Sequence, residues 1–136
     1  MLSIQKVARS AAITLIALLT ISAFAGCSPS TSTRYAFSTT TPEVSGKATA
    51  LVDVRIVHQP SGKVVENAVI FETRLDMSPD SMEGMTAPVT PEGSPEPGVY
   101  RFAIAPTMAG RWQLKLSAKI QGEPDTVTGS VIVTVR

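Results

Sequence analysis

Between residues 111 and 120 every second side chain is apolar. Trp112, Leu114, Leu116, Ala118 and Ile120 alternate with Arg111, Gln113, Lys115, Ser117 and Lys119. A helix would spread that set around its circumference; a strand gathers it on one side of a sheet. The same period of two recurs in Ala48, Ala50, Val52, Val54 and Ile56, in Val69, Phe71, Thr73 and Leu75, in Tyr100, Phe102 and Ile104, and in Val127, Val131, Val133 and Val135. Turn chemistry separates these runs. Gln59-Pro60-Ser61-Gly62-Lys63 and Gln121-Gly122-Glu123-Pro124-Asp125 each combine a proline that sets φ with a glycine that tolerates positive φ. No stretch beyond the leader shows a helical period. The pattern predicts five strands with two further short ones, packed as an antiparallel β-sandwich. Trp112 falls in the inward set, so it is expected to fill the core rather than to stack on a ligand.

The first 27 residues predict an export signal. Lys6 and Arg9 precede an apolar run over residues 11–24, shorter than the about 20 residues that span a bilayer. Two cleavage patterns overlap here. Ala23-Phe24-Ala25 fits a small-x-small site, and Ala23-Phe24-Ala25-Gly26-Cys27 fits a lipobox in which Cys27 receives lipid. Residues 28–46 are rich in Ser, Thr and Pro and predict a flexible tether, within which residues 34–38 can form a short edge strand. Cys27 is the only cysteine, so the domain carries no internal disulfide and relies on its core.

Composition excludes several functions. Without Lys6 and Arg9 the chain holds ten basic and eleven acidic residues, which offers no basic field for nucleic acid. One histidine and one cysteine leave little for a zinc site or a nucleophile–base pair. Gly-x-Ser-x-Gly and phosphate-cradling glycine motifs are absent. An enzyme is therefore not expected.

Residues 76–97 hold five prolines and no sustained periodicity, which predicts a long and functional loop. Met77, Met82 and Met85 lie in it, and Met108 lies at a corner able to fold towards them. Thioethers suit Cu(I) or Ag(I). They also plug irregular gaps and form adaptable protein-binding surfaces. His58, at a strand end, can add a nitrogen ligand or stand as solvated surface. Asp76, Asp80 and Glu83 are expected to keep the loop soluble, being too few for a calcium cage.

Three pieces of the chain resemble the YtkA-like (FixH-like) family of small exported β-sandwich modules. Ser61-Gly62-Lys63-Val64-Val65-Glu66-Asn67-Ala68-Val69 is similar to its turn-and-strand opening, and residues 75–85 to its methionine-rich loop. Pro97-Gly98-Val99-Tyr100 with Met108-Ala109-Gly110-Arg111-Trp112-Gln113-Leu114 is similar to its ending. The loop here carries Ser78-Pro79-Asp80-Ser81 where members often have a tighter M-x-M-P spacing. The resemblance implies an Ig-like fold and an extracytoplasmic location, and related modules occur beside copper-handling and metal-efflux systems.

The expectation is thus an all-β, Ig-like antiparallel β-sandwich of about seven strands over residues 47–136, behind a signal peptide at 1–27 and a tether at 28–46. It would act as a non-enzymatic, extracytoplasmic binding or accessory module, held to the membrane by a lipid on Cys27 and partnered by an envelope protein complex or metal-efflux system. One alternative is a Cu(I)- or Ag(I)-binding protein using Met77, Met82, Met85 and Met108. Another is a structural subunit packed against a membrane complex.

Overall fold

The computed structural model of the chain describes residues 31–46 and 48–136. The export signal and the lipidation site Cys27 lie outside the described residues. The chain forms an all-β sandwich. Its strands are β1 (Tyr35–Thr39), β2 (Glu43–Val44), β3 (Ala50–His58), β4 (Lys63–Val64), β5 (Val69–Met77), β6 (Met82–Ala87), β7 (Val89–Glu96), β8 (Val99–Ile104), β9 (Gly110–Lys119) and β10 (Val127–Val135). Short 3-10 turns span Thr31–Arg34 and Ser78–Asp80. One sheet runs β1-β3-β8-β7, with β4 paired to the end of β3; the other runs β2-β10-β9-β5-β6. Every pairing is antiparallel except that of β2 with β10.

The alternating residues meet between the sheets. Val52, Val54, Ile56, Phe102 and Ile104 from the first sheet face Leu75, Trp112, Leu114, Leu116, Val131, Val133 and Val135 from the second, all buried. Burying a side chain of this size contributes roughly 1.5–3 kcal/mol, and here these contributions act without a disulfide. Tyr100 ties the layers at one crossing. Its hydroxyl accepts the Ala68 N–H at 2.9 Å and donates to the Val65 carbonyl at 2.7 Å. The link from β4 to β5 is thereby pinned to β8.

Three features depart from the sequence expectation. First, the edge strand allowed at residues 34–38 forms as β1, and with it the stretch expected as tether joins the sandwich ahead of residue 47. Tyr35 is buried, and its hydroxyl donates to Glu123 at 2.7 Å. β2 then joins the last strand, with Thr134 N–H donating to the Pro42 carbonyl and Arg136 N–H to that of Val44. With β1 and β2 included, the described residues form ten strand segments rather than about seven.

Second, Val69 and Phe71 were expected inward but are exposed. The register of β5 on β9 shifts between Ile70 and Glu72. That bulge turns Ile70 onto the core and returns Thr73 and Leu75 to the inward phase.

Third, residues 76–97 are not an open loop. They form a 3-10 turn and then β6 and β7, one run that passes from the second sheet to the first at Pro88. β7 is an edge strand, exposed at seven of its eight positions. An edge that buries neither face carries no period of two, and prolines are tolerated there.

Pairing defines two poles. β1, β5, β8 and β10 start at one end, where β3 and β9 finish. This tether pole holds His58 and the turn that carries Glu123. The opposite, distal pole holds the end of β5, the corner before β9 and the C-terminal residue Arg136.

Candidate functional site at the distal pole

The distal pole gathers all four methionines of the described domain, each by a different local device. Met77 closes β5 and is paired with Met82, the first residue of β6. Directly opposed residues on antiparallel strands hold their Cβ atoms about 5 Å apart. The register then jumps, for the preceding residue Asp76 pairs with Thr86. Residues 83–85 therefore bulge from the ladder, and Met85 rides on the bulge. Met108 lies in the corner before β9 and packs, half-buried, against the core. Exposure separates their roles: Met77 is 1% exposed and belongs to the core, whereas Met82 and Met85 are 37% and 40% exposed. Gly110 makes room for Met77. A Cβ there would lie 2.5 Å from the Met77 methyl carbon and 2.9 Å from Asp80 Oδ2, and φ is +138°.

The corner is latched. Arg111 donates its backbone N–H to Asp80 Oδ2 at 2.8 Å, its Nε to Oδ1 at 2.8 Å and its Nη2 to the Pro79 carbonyl at 2.7 Å. The backbone and guanidinium donors of Arg111 lower the Asp80 pKa. The 3-10 turn is so fixed to the start of β9, and the end of β5 with it.

His58 is at the tether pole, away from the methionines. Its Nδ1 lies 2.8 Å from Ser61 Oγ, and its ring is 5.1 Å from that of Tyr35. The register of β3 does not bring it into a shared ligand set. Among the described residues no group of three or more His, Cys, Asp or Glu side chains is placed to hold a metal ion. The thioethers at this pole are donors of the kind that suits a soft monovalent ion.

Asp76 is more than the solubilising loop residue expected from sequence. It lies on the outward side of the second sheet yet is fully buried. Lys115 Nζ and Arg74 Nε each donate to its Oδ2 at 2.8 Å, and the Ser78 N–H donates to Oδ1 at 3.1 Å, with the Ser78 hydroxyl on the same oxygen. Burial pushes this carboxyl up. The donors from Lys115, Ser78 and Arg74 outweigh it and hold the group well below the usual carboxylate range. The sequence signal available was Arg74-x-Asp76 on one strand face; the contribution of Lys115 depended on a cross-strand register that no local pattern reports.

With this geometry in place, comparison with known proteins adds one assignment. The YtkA-like family model matches residues 29–117, from ahead of β1 into β9. No curated protein matches the chain. Among solved structures, the ZirS C-terminal domain is similar at 13% identity and a TM-score of 0.45, covering 100% of this chain and 87% of that one.

Proposed function

The chain belongs to the YtkA-like family, and on that footing we propose that it is a non-enzymatic, extracytoplasmic binding module of the cell envelope, lipid-anchored through Cys27, that presents its distal pole to a protein partner. The observation that supports this reading is polarity along the sandwich. Only residues 28–30 separate Cys27 from the first 3-10 turn, a reach of about 10 Å. β1 enters at the tether pole, and the ten residues of β9 span about 33 Å to the other end. A lipid on Cys27 would keep the tether pole against the bilayer and hold Met82 and Met85 away from it. Exposed methionines at such a place suit an adaptable protein contact.

Fractionation and site-specific photocrosslinking test this together. Cys27→Ser should move the protein from membranes to the soluble fraction. A photoreactive residue at position 82 or 85 should crosslink to one envelope protein, and one at Lys63 should not. Membrane retention of the Ser variant, or crosslinks from Lys63 alone, would overturn the reading.

The grouping of thioethers, two of the four open to solvent, favours a second reading, delivery of Cu(I) or Ag(I). Met82 and Met85 would hold the ion, with Met77 and Met108 behind them, and a metal-efflux system would be the partner. Leucine keeps methionine's volume and lacks its donor. The double variant Met82→Leu, Met85→Leu should therefore stay folded and lose Cu(I) binding under reducing conditions. Undiminished binding would remove this reading.

A further inference from the structure

The outward side of the second sheet carries a groove of about 470 Å3, far from the exposed methionines in chemistry and lined in part by Glu72, Arg74, Lys115, Ser117 and Ser130. Strand register sets these side chains in rows. Arg74 on β5, Lys115 on β9 and Ser130 on β10 form one cross-strand row; Glu72, Ser117 and Thr128 form the next. The first row is positive. Its two cations share a single buried carboxylate, Asp76, which also fixes where they stand. Lys115 gives one proton to Asp76 and one to Ser78, so the third of its donors is left for a ligand. Arg74 uses Nε on Asp76 and Nη2 on the Glu83 carbonyl, and a guanidinium has five donors. The second row is negative: Glu72 accepts from the Ser117 hydroxyl at 3.0 Å and forms no ion pair among those of the described residues.

Two opposite poles thus sit on adjacent rows. Residues two apart on a strand are about 7 Å apart, and two extended residues of peptide span about 7 Å. No aromatic ring lines the groove, so it offers no stacking surface for a planar base or a sugar face. A simple anion would meet repulsion from Glu72. We propose that this groove binds a dipeptide-sized zwitterion, its carboxylate on Lys115 and Arg74 and its ammonium on Glu72. The inference rests neither on the lipid anchor nor on the methionines.

The test is a titration of the purified full-length, 15N-labelled chain with Ala-Ala, N-acetyl-Ala-Ala, Ala-Ala amide and acetate, followed by amide chemical shifts. Ala-Ala should shift amides of residues 72–74, 115–117 and 128–130 at millimolar concentration. Blocking either terminus should weaken binding about tenfold, as should Glu72→Gln. Lys115→Met should abolish binding but strips a partner from buried Asp76, so the exposed Glu72 provides the variant that keeps the fold. Glu72→Gln should not weaken N-acetyl-Ala-Ala, which brings no ammonium and is relieved of the repulsion from the Glu72 carboxylate. Absence of shifts with Ala-Ala would overturn the proposal. So would equal binding of the blocked peptides or of acetate, or indifference of Ala-Ala to Glu72→Gln.

Discussion

The indole N–H of Trp112 donates to the backbone carbonyl of Met108 across 3.0 Å, from a side chain with no exposed surface. The largest buried side chain of the core thus also fastens the corner that leads into β9. Trp112→Ala should cost about 3–5 kcal/mol, a large share of the stability of a domain this size. Trp112→Phe keeps most of the apolar volume but leaves the Met108 carbonyl without its donor, and should cost less, about 1–3 kcal/mol. Urea midpoints at constant slope measure both. A loss below about 1 kcal/mol for the alanine variant would contradict this role.

Tyr100→Phe removes one hydroxyl and two hydrogen bonds, those to Ala68 and Val65. The expected loss is about 1–3 kcal/mol. Faster hydrogen exchange at the Ala68 amide should accompany it, because the link between β4 and β5 loses its pin.

Acid should weaken the domain through Asp76. Its carboxyl is held below its unfolded value of about 3.9, so the stabilisation is complete above that value and is lost as pH falls through the lower folded one. Urea midpoints measured downward from pH 4 should decline for the wild type. Asp76→Asn should be weaker at neutral pH and show a shallower decline. Equal slopes would mean that Asp76 is not the group responsible.

Gly110→Ala places a methyl group against the Met77 methyl and the Asp80 carboxylate, at a φ of +138°. A cost of about 1–3 kcal/mol is expected from the backbone alone. Disruption should be local to the Asp80–Arg111 latch, visible as shifted amide resonances at residues 78–80 and 110–112.

Legibility in the sequence followed burial. β9 buries one whole face, so its alternation revealed the strand, its inward-facing side chains and the place of Trp112 together. β3 and β8 were legible for the same reason. The start of β5 was not, because the bulge at Phe71 shifts the phase by one residue and local periodicity has no term for a bulge. β7 left no pattern because it buries almost nothing. The methionines could be picked out by type and spacing, and the sequence placed Met108 at a corner; which of them are core and which exposed depended on the β5–β6 register. Asp76 was visible as an acid, but its burial and its partner on β9 are long-range facts.

The parallel pairing of β2 with β10 has a mechanical consequence. The chain enters at one pole and Arg136 lies at the other, so tension between the two ends runs along the strands. It would pull β2 and β10 in opposite directions within their shared ladder. The backbone hydrogen bonds joining Pro42, Val44 and Gly46 to Thr134 and Arg136 would then be strained simultaneously in shear, rather than unzipped in turn. A single-molecule pull from the two termini should meet its main resistance there, and Val44→Pro, which takes from this parallel ladder the N–H that Val44 turns towards Thr134, should lower that force.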